Sequence, residues 1–139
     1  MEIRKANLED CRVVYELTKN TPEIVNPSTE PPPLEWIKSF VKEKQIFYVA
    51  CENNEVIGYI MGERTAGDIG LMWMLTVKKE FRGRGIGKKL LLRAEEECKK
   101  RNLKAIVAYG FSESKSVLSI LGDHGYHKGN LYYEFVKIL

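Results

Sequence analysis

Long apolar runs are missing from this chain: none approaches the roughly 20 residues that a membrane-spanning helix needs. Nor does it open on a signal-peptide core, because Met1-Glu2-Ile3-Arg4-Lys5 already alternates like a strand. Cysteine is sparse. Cys11, Cys51 and Cys98 are odd in number, widely spaced and never arranged as C-x-x-C, which argues against a disulfide framework or a thiolate metal site. Each falls in a periodic apolar stretch and reads as a buried free thiol. No metal is expected. Together these absences predict a cytoplasmic protein with no membrane contact.

Proline is confined to one place. Pro22, Pro27, Pro31, Pro32 and Pro33 interrupt residues 22–33, where neither helix interior nor central strand survives. This stretch either spans two helices or gates a site. The rest of the chain suits a single domain, residues 1–139, with 44% apolar and 29% charged residues. The net charge of +3 is unevenly spread: residues 78–89 hold six basic side chains against Glu80 alone, so the remainder is slightly acidic. A focused positive patch suits a compact polyanion better than a nucleic-acid track, which would interleave aromatics.

The periodicities predict an α/β chain with a mixed sheet. Residues 1–6 read as a strand, and Asn7-Leu8-Glu9-Asp10 resembles a capping box for a helix running to about Asn20. Pro33 suits the start of a second helix with Leu34, Ile37, Phe40 and Val41 on one face. Strands follow over residues 45–52 and 55–63, joined by Asn53-Asn54, with Gly58 and Gly62 marking a bulge or close packing. After a turn at Thr65-Ala66-Gly67-Asp68 come an apolar strand over 71–77 and, past a glycine turn, a helix with Ile86, Leu90, Ala94 and Cys98 on one face. Asn102 stops it. A strand over 105–109 then runs parallel to the one before. A short helix over 112–121 ends at Gly122, and residues 126–128, Gly129-Asn130 and 131–139 read as a final hairpin.

The turn Arg82-Gly83-Arg84-Gly85-Ile86-Gly87 joins strand to helix and presents free N–H groups at a helix N-terminus, an anion site in principle. Two nucleotide loops fail on spacing. A P-loop needs glycine where Arg82 stands and Ser or Thr where Lys89 stands; a dinucleotide fingerprint needs glycine at Lys88 or Leu90. Lys88 and Lys89 oppose the helix dipole, costing about 0.3–1 kcal/mol each unless an anion binds.

Arg82-x-x-Gly85-x-Gly87 resembles the R/Q-x-x-G-x-G/A signature of the GNAT N-acetyltransferase family. Val77 before it, Leu90-Leu91 after it and Gly125-Tyr126 near the end extend the resemblance over nearly the whole chain. It implies a GNAT-like fold, a central mixed sheet flanked by about four helices. It also implies acetyl-CoA as cosubstrate and an amine acceptor. Leu75, Thr76 and Val77 would pair with the pantothenyl arm; backbone amides from Arg82 through Gly83, Arg84, Gly85, Ile86 and Gly87 would hold the pyrophosphate, and Arg82, Arg84 and Lys88 would add charge. Homodimers are common in the family.

The chemistry departs from the pattern. The tyrosine that many members use as acid, four residues before G-F/Y, corresponds here to Leu121, and the usual asparagine to Ser114. His124, Tyr126, Tyr132 and Tyr133 are the nearby donors, with a packing or dipole role the simpler reading of each. Residues 71–77 carry no carboxylate, so Glu63 and Asp68 are the base candidates, against the alternative that both are hairpin-end charges. The expected activity is acetyl transfer from acetyl-CoA to a primary amine of a small molecule, peptide or protein. The alternative is a catalytically weak or inactive CoA-binding sensor or interaction module.

Overall fold

The capping box closes first. In the computed structural model, which describes residues 1–22, 31–110 and 114–131 with Phe135 and Lys137, Asn7 Oδ1 accepts from the N–H groups of Glu9 and Asp10. Asp10 Oδ2 returns the bond to the Asn7 N–H at 2.8 Å. Arg4, on strand β1 (Glu2–Lys5), grips the same carboxylate with both guanidinium nitrogens at 2.7 and 2.8 Å. That bidentate pair ties the start of helix α1 (Asp10–Lys19) to the sheet. Burial alone would raise the Asp10 pKa; the Arg4 and Asn7 bonds outweigh it and hold it below the usual carboxylate range.

Helix α2 (Leu34–Lys42) starts one residue past Pro33, whose carbonyl accepts the first helical bonds. Strands β2 (Ile46–Glu52), β3 (Glu55–Thr65) and β4 (Ile69–Val77) form an antiparallel meander. Asn53 and Asn54 both take positive φ in the tight turn between β2 and β3, as the sequence led us to expect. A single turn at residues 79–81 leads through the glycine loop into helix α3 (Ile86–Lys100). Strand β5 (Ala105–Ala108) lies parallel to β4 at the sheet edge, and helix α4 (Lys115–Asp123) follows. The sheet order is β1-β2-β3-β4-β5.

Alternation along the strands divides the core in two. On one face Ile46, Tyr48, Ile57, Ile60 and Met72 meet Leu90, Leu91, Ala94 and Cys98 of α3. On the other, Phe47, Val49, Tyr59 and Met61 meet Cys11 and Val14 of α1 and Ile37 and Phe40 of α2. All three cysteines are free and buried.

Two expectations are corrected. Gly122 does not end α4 but lies inside it; the stop is Gly125 at φ +80°, three residues later. There the Gly125 N–H bonds to the Gly122 carbonyl and the Tyr126 N–H to the Leu121 carbonyl, a left-handed cap that only glycine adopts without strain. The terminal hairpin is absent over its first half: residues 126–131 form no strand, leaving β5 as the edge among the described residues. The remainder of that expected hairpin, including Tyr132 and Tyr133, falls almost wholly outside the described residues, as do residues 23–30 of the proline stretch.

Candidate active site

Strands β4 and β5 part company midway. Their pairing runs from Ile69–Ala105 to Met72–Ala108 and stops, although β4 continues to Val77. The split begins where β4 bulges: Met61 pairs with Met74 and Gly62 with Met72, so Trp73 has no partner in β3. Gly62 makes room for this. A Cβ there would stand 2.6 Å from the Leu71 carbonyl oxygen and 2.7 Å from the Met72 sulfur. Beyond the bulge, the β5-facing edge of Leu75, Thr76 and Val77 has no strand beside it among the described residues.

A pocket passes through the split. Met72, Trp73, Met74 and Leu75 line one wall, Ala108, Tyr109 and Gly110 the other, and Leu91, Ser114, Val117 and Leu121 close the α3–α4 side. Ser114 holds the N-cap position of α4 at the pocket wall, without a side-chain capping bond.

At the open end of β4 lies the glycine turn. Gly83 and Gly85 take φ +77° and +73°, a region that costs a side chain about 1–2 kcal/mol. Gly85 in that conformation turns the chain sharply into α3, and the N–H groups of residues 83–88 have no backbone acceptor among the described residues. Six N–H groups without a backbone acceptor at a helix N-terminus suit a pyrophosphate, whereas the Arg82 N–H, expected among them, already bonds the Lys79 carbonyl at 3.3 Å. The cations around the turn divide their roles. Arg84 forms a bidentate pair with Glu52 at 2.7 and 3.2 Å and stacks on Phe81, its guanidinium 5.3 Å from the ring centre. Lys78 pairs with Glu55. Arg82 donates from Nε to the Val77 carbonyl at 3.0 Å, so its side chain braces the end of β4. Lys88 and Lys89 stand exposed in the first turn of α3.

The acetyltransferase (GNAT) family model matches residues 11–118. An acetyltransferase of Photorhabdus laumondii subsp. laumondii is 34% identical over 107 residues, 77% of this chain and 73% of that protein. The chain belongs to the GNAT acetyltransferase family. It is thereby an N-acetyltransferase by family and by relatives. Among solved structures it is similar to a ribosomal-protein-alanine N-acetyltransferase from Brucella melitensis, with a TM-score of 0.76 and 21% identity over 90% of this chain and 83% of that one. It is also similar to an aminoglycoside N-acetyltransferase, AAC(6')-Iy in complex with CoA, with a TM-score of 0.79 and 13% identity over 99% of this chain and 100% of the other. These identities speak to the fold.

Within this GNAT chain the two base candidates separate. Glu63 lies opposite Leu71, beside the split, and its Oε1 accepts the Trp73 indole N–H at 2.8 Å. Asp68 sits in the turn before β4, at the closed end of the β4–β5 pairing, and is held by Arg64 with Lys104 3.7 Å away. Leu121 does line the pocket, so the position where the family resemblance led us to look for an acid is occupied by an aliphatic group. Tyr126 is not in the pocket: it packs against the α3 core, where burial pushes its phenol well above the ordinary range and the Glu95 carboxylate adds to the shift. His124 Nδ1 meets the Ile120 carbonyl at 2.7 Å, the helix-end role expected of it.

Sequence reasoning missed Trp73 and Tyr109. Trp73 reads as one more apolar residue in a buried strand until the bulge gives it a place of its own, and the Trp73 and Tyr109 ring centres lie 6.2 Å apart. Tyr109 directly before Gly110 at a strand end was the available signal. Among the described residues no group of three His, Cys, Asp or Glu side chains is placed to hold a metal, and no helix is long and apolar enough to cross a membrane.

Proposed function

We propose that the protein transfers the acetyl group of acetyl-CoA to a primary amine. The observation that carries this reading is the conjunction of an open β4 edge, a pocket through the β4–β5 split and an amide-rich turn at the end of the same strand. Acetyl-CoA supplies a thioester whose carbonyl carbon accepts the amine. Its pyrophosphate suits the N–H groups of Gly83 to Lys88, with Lys88 adding charge, and its pantothenyl arm suits the unpaired edge of Leu75 and Thr76. Arg82 contributes by holding the Val77 carbonyl and so the angle of the turn. Ser114, at the pocket wall, offers a hydroxyl toward the same space.

The acceptor must arrive at the thioester as a neutral amine. Glu63 is the carboxylate we assign to take its proton, directly or through water, since it stands on β3 opposite Leu71 with one oxygen on the Trp73 indole N–H. Asp68 is set aside because Arg64 and Lys104 hold it in a turn. With Leu121 at the wall, the departing thiolate takes its proton from water or from the hydroxyls that line the pocket, Tyr109 and Ser114.

The test is thiol release from acetyl-CoA with a panel of primary amines, alongside the shift in melting temperature on adding CoA. A CoA-dependent rise in melting temperature with amine-dependent thiol release is expected. A rise without thiol release for any amine would leave a CoA-binding module and overturn the transfer.

A further inference from the structure

Trp73 and Tyr109, which line the pocket, gather beside it Trp36 of α2 and the Glu63 carboxylate. Trp73 stands between Trp36 of α2, whose ring centre is 6.3 Å away at 76°, and Tyr109, 6.2 Å away at 40°. The first pair meets edge to face and the second is only tilted, so the three rings form a corner and not a closed stack. Two of the three are left to solvent: Trp73 is 39% exposed and Tyr109 59%. Glu63 bonds the indole N–H, which places negative charge against the Trp73 edge and leaves the face more electron-rich. Arg64 pairs with Asp68 and Lys38 with Glu35.

An apolar acceptor would need the rings but not the carboxylate; an anionic one would be repelled by Glu63. A cation uses both, because ring faces and a carboxylate attract it together and the exposed Trp73 and Tyr109 rings, inclined at 40°, can contact one ammonium at once. We infer that the acceptor is a polycationic amine: one amino group reacts at the split while a second cationic centre rests in the Trp36–Trp73–Tyr109 corner. This names the substrate class of the site and rests on the acetyl-transfer reading above. Aliphatic polyamines and aminosugars share the required chemistry.

The experiment compares kcat/KM for acetyl transfer to 1,4-diaminobutane, spermidine and an aminoglycoside with that for n-pentylamine and 5-aminopentanoate, which replace the second cation by a methyl group or a carboxylate. At least one dication should exceed n-pentylamine by about tenfold or more, with 5-aminopentanoate poorest. Tyr109→Leu should lower the dication-to-pentylamine ratio several-fold, and Tyr109→Phe, which keeps the ring face, should preserve it. Tryptophan fluorescence of the CoA-saturated protein titrated with each amine reads binding without turnover. Dication-specific quenching that Tyr109→Leu abolishes would support the inference even if no amine is acetylated, in which case the transfer reading alone falls. Equal use of n-pentylamine, or a ratio unmoved by Tyr109→Leu, overturns the inference while transfer stands. Preference between spermidine and the aminoglycoside tells which source supplies the cation.

Discussion

The backbone N–H of Tyr126 reaches back to the carbonyl of Leu121 at 3.1 Å, so the residue on the pocket wall is held by the cap that ends its own helix. Gly125 makes this bond attainable by taking φ +80°. Gly125→Ala should therefore cost about 1 kcal/mol or more in urea unfolding and raise KM for acetyl-CoA by loosening Leu121. Unchanged stability would mean the cap contributes nothing.

The glycine turn makes a sharper prediction. Gly85→Ala forces a side chain to φ +73° and shifts the N–H groups at the head of α3. A CoA affinity loss of about tenfold, read by titration calorimetry, is expected from misaimed donors. Arg82→Glu replaces the brace on the Val77 carbonyl with a carboxylate facing a pyrophosphate, and CoA binding should disappear. Retained affinity in Arg82→Glu would place the donor elsewhere.

Glu63→Gln keeps an oxygen for the Trp73 indole but removes the basic group. We expect kcat to fall about 100-fold with CoA affinity intact. The fall should shrink at high pH, where more of the free amine is already neutral. A pH-independent loss would reduce Glu63 to a brace for Trp73.

Acid sensitivity should trace to Glu97, alongside the Arg4-bound Asp10, and not to the pocket. Glu97, buried at the end of α3, is opposed by desolvation yet receives bonds from Arg101 at 2.8 Å and the Tyr48 hydroxyl at 2.8 Å, with Lys5 3.4 Å away. These partners win and bring its pKa down to about 2 from an ordinary 4.5. Its folded pKa is depressed, so the stability it contributes is complete above the unfolded value and drains away as pH falls from about 4.5 towards 2. Urea midpoints for the wild type should drop across that window, and Glu97→Gln should flatten the drop while lowering stability at neutral pH. Equal slopes for the two proteins would exclude Glu97 as an acid-sensitive group.

Much of the architecture was legible because it depends on local rules. The Asn7–Asp10 box, the Asn53-Asn54 turn, the α3 stripe of Ile86, Leu90, Ala94 and Cys98 and the parallel β4–β5 pair all follow from spacing and turn chemistry over short distances. Gly122 misled because helix-ending glycines are recognised by position after the last apolar residue, and α4 runs through it to Asp123, with the left-handed glycine of the cap at Gly125. The hairpin read into residues 126–139 rested on alternation and on the Gly129-Asn130 turn, both local signals that a segment can carry without forming a strand over residues 126–131.

The donor side of the site was written in the chain itself. Arg82-x-x-Gly85-x-Gly87 specifies a left-handed glycine, a helix start and a run of free amides within seven residues, and those are consequences of backbone geometry. The acceptor side was decided by tertiary structure. Glu63, Trp73, Trp36 and Tyr109 are spread from α2 across β3 and β4 to the end of β5, and only the bulge at Trp73 and the parting of β4 from β5 bring them to one pocket mouth. A bulge depends on the register between strands, which no single stretch of sequence contains.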